Sequence, residues 1–157
     1  DLEGDDRYNT DPQRMVNPFT DETQWIAENQ YAGHARDGAV GIFVDGAGDD
    51  AYVLRANCAG SGDLNSVGFF WDRAGDDRYS GLDVDPSPGN PNWSRPPLGT
   101  ITIYPEPFRS FRDGLLAYGV FLDTAGADTY EDLQSPARNG HAWSEAHPNG
   151  RAIGIDR

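Results

Sequence analysis

The chain contains no lysine, one cysteine and one methionine among its 157 residues. A lone cysteine, Cys58, excludes an internal disulfide framework and leaves the redox setting open. No apolar run approaches the ~20 residues that a spanning helix needs, so membrane insertion is not expected. Positive charge is scarce as well: 12 arginines face 26 acidic residues, for a formal net charge of −14. Phosphate binding depends on clustered positive charge, so nucleic acid is not an expected partner, and anionic membranes are disfavoured for the same reason. Cations, and neutral or basic polymers such as glycans, remain compatible with this surface.

Hydrophobic residues make up only 37% of the chain, alongside 19 glycines and 11 prolines, a composition that borders on disorder. Apolar clusters that recur in register, around Phe43, Phe69, Phe70, Trp71 and Phe121, argue against disorder. The length suits one domain with a real core.

What is abundant is a repeated phrase. FVDGAGDDAYV, residues 43–53, sets Asp45, Asp49 and Asp50 around two glycines and returns at once to the strand formers Tyr52 and Val53. The pattern D-x-x-G-x-D-x-Y recurs at DLEGDDRY (1–8), DRAGDDRY (72–79) and DTAGADTY (123–130). Each internal copy follows a similar apolar piece, VGIFVD, VGFFWD or YGVFLD, and AIGID near the end supplies Asp156 as the first residue of a further copy. The units run 1–44, 45–71, 72–122 and 123–155. A chain that starts and stops at the same point of its repeat is expected to be a piece of a longer array.

Within Gly41 to Asp45, Ile42 and Val44 share one face while Phe43 takes the other, the period-two signature of a strand. Strand, tight turn, strand, loop and strand, repeated every ~20–30 residues, predict an all-β, parallel β-solenoid of the β-helix or β-roll type, forming a single repeat domain. Insertions into a common 27-residue rung fall at about 9–30, 82–107 and 131–143. The first includes ETQWIAENQ, where one short helix could form. The second is proline-rich, and proline removes a ladder donor, so it is expected outside the sheet, with ITIY (101–104) as a short strand.

In such a stack, equivalent residues of successive coils lie ~4.8 Å apart. The leading Asp (Asp1, Asp45, Asp72, Asp123, Asp156) and the sixth-position Asp (Asp6, Asp50, Asp77, Asp128) would then form two columns. Two unit charges at that spacing repel by roughly 3–4 kcal/mol at an effective dielectric of 20. Compensation could come from protons, arginine, backbone N–H groups or a cation. Arginine is not a repeated solution, because Asp50 and Asp128 are followed by Ala51 and Thr129. Ca²⁺ is a natural candidate, being a hard ion that takes carboxylate and carbonyl oxygens. The candidate ligands are Asp6, Asp45, Asp50, Asp72, Asp77, Asp123 and Asp128.

The stretch from Gly46 to Tyr52, G-x-G-x-D-x-Y, resembles a nonapeptide of the RTX family of secreted bacterial proteins, whose β-rolls bind Ca²⁺ between stacked turns. The resemblance implies Asp6, Asp50, Asp77 and Asp128 as ligands and Tyr8, Tyr52, Tyr79 and Tyr130 as core positions. It covers about eight residues per unit. RTX motifs follow one another every nine residues, whereas these are single and far apart, and only Gly46 fills the second glycine position. The wider phrase more closely resembles repeats in large, uncharacterised bacterial surface or secreted proteins. Plain turn chemistry, with carboxylates capping backbone N–H groups, is the competing explanation of the same residues. Ala127 shows that Asp at the fifth position is dispensable.

Other constellations are weaker. DVDPSPGN (83–90) alternates oxygen ligands, but Pro88 sits where an EF-hand loop needs Gly. His141, Glu145 and His147 share one side if extended, yet they do not make a zinc motif. His34 and His147 align before the strand glycine, with Ser61 and Arg112 in the same place in other units, which argues against a shared catalytic role. The expected role is non-catalytic: a structural, adhesive or assembly module of a larger extracellular or cell-surface bacterial protein. Self-association through open coil ends is a further expectation. The alternative is a carbohydrate-binding or carbohydrate-cleaving solenoid, with Trp25 and Trp93 as sugar-stacking candidates.

Overall fold

The computed structural model describes residues 2–8, 13–16, 23–26, 32–54, 58–81, 98–102, 114–133 and 135–157. In chain order its strands are β1 (Arg7–Tyr8), β2 (Gln13–Val16), β3 (Thr23–Ile26), β4 (Ala35–Arg36), β5 (Val40–Asp45), β6 (Ala51–Leu54) and β7 (Gly62–Asp63). They continue with β8 (Val67–Asp72), β9 (Arg78–Gly81), β10 (Ile101–Thr102), β11 (Ala117–Asp123), β12 (Thr129–Glu131), β13 (Ala142–His147) and β14 (Gly150–Ile155). The described chain is strand-rich, and most strand pairs are parallel.

The repeat sets the register. Strands entering the Asp-Gly turn, β5, β8, β11 and β14, pair in parallel, so that Phe43, Phe70 and Phe121 oppose one another, as do Asp45, Asp72 and Asp123. Strands leaving it, β1, β6, β9 and β12, align Tyr8, Tyr52, Tyr79 and Tyr130. A third parallel sheet joins β4, β7 and β10. Each unit thus adds one strand to a sheet that its predecessor began, and the sheets stay open at their edges.

Three expectations need correction. The ETQWIAENQ stretch contributes no helix among the described residues; Thr23–Ile26, rich in β-formers, is a strand paired antiparallel with Gln13–Val16. The second insertion does not stay wholly outside the body: Leu98 and Ile101 are fully buried, and Ile101 pairs with Gly62. Thr100 takes the seat of His34 and Ser61, as a Cβ on Gly119, Gly41 or Gly68 would fall 2.1 Å from the carbonyl oxygen of Thr100, His34 or Ser61; Arg112, aligned there from the sequence, lies outside the described residues. Finally, the stack is not purely parallel, since β13 closes the five-stranded sheet antiparallel to β14, and His147 lies in that strand.

The core is two aromatic columns. Tyr8, Tyr52, Tyr79 and Tyr130 stack at 4.9, 5.0 and 5.0 Å, and Phe43, Phe70 and Phe121 stack at 5.0 and 5.1 Å. The columns meet edge to face, as in Tyr52 on Phe70 at 5.3 Å, a favoured quadrupole arrangement. On the opposite face of the turn-entry sheet, Val40, Ile42, Val44, Tyr118 and Ile153 are exposed.

Candidate metal centre

The turn glycine brings the units close. Gly48 has φ 144°, and a Cβ there would lie 1.8 Å from the Gly4 carbonyl oxygen. Its N–H donates to the Ala74 carbonyl of the next unit, and Gly4 and Gly75 make the equivalent bonds. Only glycine tolerates both the backbone region and the approach. The carboxylates flanking this turn are consequently carried inward and stacked.

The sixth-position residues form a ladder. Asp6 N–H donates to Asp50 Oδ1 at 2.6 Å, Asp50 N–H to Asp77 Oδ1 at 2.8 Å, and Asp77 N–H to Asp128 Oδ1 at 2.8 Å. The fifth position runs a second, exposed ladder in the other direction: Asp49 N–H donates to Asp5, Asp76 N–H to Asp49, and Ala127 N–H to Asp76. Ala127 ends that ladder as a donor, which accounts for its missing carboxylate. The leading residues receive the tyrosines: Asp45, Asp72, Asp123 and Asp156 accept from Tyr8, Tyr52, Tyr79 and Tyr130 at 2.5, 2.6, 2.7 and 2.5 Å.

These bonds satisfy only part of each carboxylate. Asp45, Asp50, Asp72, Asp77, Asp123, Asp128 and Asp156 are all buried. Asp72 Oδ1, Asp77 Oδ2, Asp123 Oδ1 and Asp128 Oδ2 have no hydrogen-bond partner. Oxygens of Asp50, Asp72 and Asp77 lie within 4.8 Å of one another, and so do those of Asp77, Asp123 and Asp128. Asp6 and Asp45 stand in the same columns but in neither converging group, and Asp6 is only half-buried.

Burial dominates the electrostatics. It pushes Asp77 and Asp123 up to about 8 and Asp72 up to about 6, against partial relief from Asp50 N–H, Tyr79 and Tyr52 respectively. Asp50 and Asp128 are raised for the same reason. The ion pairs of Arg78 with Glu131 and of Arg36 with Asp37 and Asp63 lie away from these groups. A buried, unpartnered carboxylate oxygen is costly, and either a proton shared between carboxyls or a cation would relieve it. Each group brings together three carboxylate oxygens, the ligand type that Ca²⁺ prefers, so the residues present suit that ion with carbonyls or water completing its shell.

Two contributors escape a repeat-based reading. Asn139 Oδ1 accepts Asp128 N–H at 2.9 Å, filling the seat of a further ladder Asp. Trp143 packs on Phe121 at 5.7 Å, over Gly154, where the other units have Phe. The Asn139-Gly140 pair was the available signal, being a common turn former. DVDPSPGN and Trp93 lie outside the described residues, as do Asp1 and the side chain of Trp25.

Comparisons with family models, curated proteins and solved structures find no match for this chain.

Proposed function

We propose that the chain is a non-catalytic structural module, wound as a parallel β-solenoid, of a larger extracellular or cell-surface bacterial protein, and that Ca²⁺ holds its Gly-Asp corner. The supporting observation is the buried carboxylate column, in which aspartates converge in groups of three and Asp72, Asp77, Asp123 and Asp128 each keep one oxygen without a hydrogen-bond donor. An extracellular setting suits such a scaffold, because extracellular modules fill calcium sites of modest affinity. Open edges at β1 and β5 support association with further units of the same kind. The repetition itself weighs against catalysis, as the aspartates are equivalent, buried and engaged with tyrosines rather than presented to a substrate.

The carbohydrate alternative has less support. Its candidate tryptophans, Trp25 and Trp93, lie with their side chains outside the described residues, while Trp71 is engaged with Thr124 through its indole nitrogen and with Arg73 over its ring. Thermal unfolding with EDTA, followed by calcium add-back, tests the proposal. We expect a large drop in Tm that CaCl₂ restores and MgCl₂ does not. Identical curves in EDTA and calcium would refute the calcium scaffold.

A further inference from the structure

We infer that Asp77 is a bridging ligand: the chain carries two equivalent calcium sites, one of Asp50, Asp72 and Asp77 and one of Asp77, Asp123 and Asp128, and loads two ions that share its carboxylate. The inference rests on the calcium reading above and goes beyond it in stoichiometry and in the role of a single residue.

Each site has the same makeup: the sixth-position Asp of one unit, then the leading and sixth-position Asp of the next. Parallel, in-register pairing repeats that triangle along the stack, so Asp77 closes one site and opens the other. Its Oδ1 accepts the Asp50 N–H, while Oδ2 is buried without a partner. A carboxylate has about four lone-pair positions, so one accepted hydrogen bond leaves Asp77 able to meet an ion on either side. In the second site each residue has an oxygen that meets no N–H or O–H donor, Asp77 Oδ2, Asp123 Oδ1 and Asp128 Oδ2, and the Asp123 and Asp128 carboxyl groups lie against each other.

Coordination habit selects the ion. Ca²⁺ takes carboxylate and carbonyl oxygens in flexible geometry, which converging carboxylates at a Gly-rich turn can supply. Mg²⁺ needs about 2.1 Å, octahedral geometry and retained waters, which a buried carboxylate corner does not provide. Charge selects the number. Two divalent ions nearly neutralise the carboxylates of Asp50, Asp72, Asp77, Asp123 and Asp128, whereas one would leave most of that buried charge uncompensated. The rail ends where the pattern does: Asn139 replaces a carboxylate at one end, and Asp6 and Asp45 do not converge with Asp50 at the other.

The test is calcium stoichiometry of the whole, EDTA-stripped chain by native mass spectrometry and titration calorimetry. Wild type should take two ions, Asp72→Asn and Asp128→Asn one each, and Asp77→Asn neither, with at least tenfold loss at both sites. Asn can accept the ladder N–H, as Asn139 already does, so Asp77→Asn should keep its far-ultraviolet spectrum. Should it fail to fold, the wild-type count and the two flanking variants still decide. One ion in wild type, or loss of only one in Asp77→Asn, overturns the bridge while leaving a calcium scaffold intact. Zero ions overturns both.

Discussion

Tyr52 donates its hydroxyl hydrogen to Asp72, the leading residue of the next unit, across 2.6 Å of fully buried space. Burial first, then the carboxylate of Asp72, pushes its phenol far above the ordinary range, so it remains a donor at every accessible pH. The same residue stacks on Tyr8 and Tyr79. One side chain therefore joins neighbouring units through ring contact and through the corner.

Tyr52→Phe separates these contributions. The ring column persists, but a buried carboxylate loses its donor, which costs about 1–3 kcal/mol. Urea unfolding in EDTA should show that loss. An unchanged midpoint would mean that the hydroxyl bond adds nothing.

Much of this was legible because the repeat multiplies weak signals. Period-two alternation sets Phe43 on one face and Ile42 and Val44 on the other, and the structure keeps that division and extends it by register to Phe70 and Phe121. Stacking of the leading and sixth-position aspartates followed from the register alone. The features that break the repeat were not legible. Leu98 enters the core from a proline-rich stretch whose composition reads as loop, and ITIY, read as a short strand, forms one at Ile101–Thr102 but inside the body rather than outside it. Asn139 and Trp143 occupy seats that belong to Asp and Phe, Asn139 from the turn before the antiparallel strand β13 and Trp143 from that strand itself, outside the repeated phrase.

The raised carboxylates give stability a pH dependence of definite sign. Asp77 and Asp123 sit near 8 when folded, against an ordinary value of 3.8 that the unfolded chain should show. Between those values the folded chain holds more protons than the unfolded one, so stability falls as pH rises. Their contribution is fully present below about pH 4 and is lost through pH 8. In EDTA, Tm should therefore drop steadily from pH 5 to pH 9. With saturating calcium the trend should flatten, because the ion binds the deprotonated form. A metal-free Tm that climbs over this range would contradict the buried column.

Gly75→Ala probes the close approach of units. A Cβ there would lie 1.7 Å from the Gly48 carbonyl oxygen, on a backbone at φ 156°. Neither the carbonyl nor the turn can yield without separating two units. The expected loss is at least about 3 kcal/mol, at or beyond the top of the ordinary range for single substitutions. Gly114→Ala is the control, since nothing among the described residues lies within 4 Å of its Cβ position, and it should change stability little. Comparable effects at both sites would show that the turn spacing is looser than described.

Trp143 tests how the stack ends. The phenylalanine column stops at Phe121 because Gly154 stands at the next position, and the Trp143 ring fills that vacancy. A Cβ on Gly154 would come within 1.9 Å of this ring, so the glycine and the tryptophan require each other. Trp143→Ala would expose one face of Phe121 and leave a hole that Gly154 cannot fill. Large aromatic truncations cost about 3–5 kcal/mol when fully buried, so a half-buried tryptophan should cost about 2–4 kcal/mol. Gly154→Phe alone should also destabilise, because it collides with the ring. The double change Trp143→Ala with Gly154→Phe restores an aromatic to the column and should recover most of the loss. Chemical denaturation of all three variants measures this coupling. Simple additivity of the two single losses would show that the residues do not share one seat.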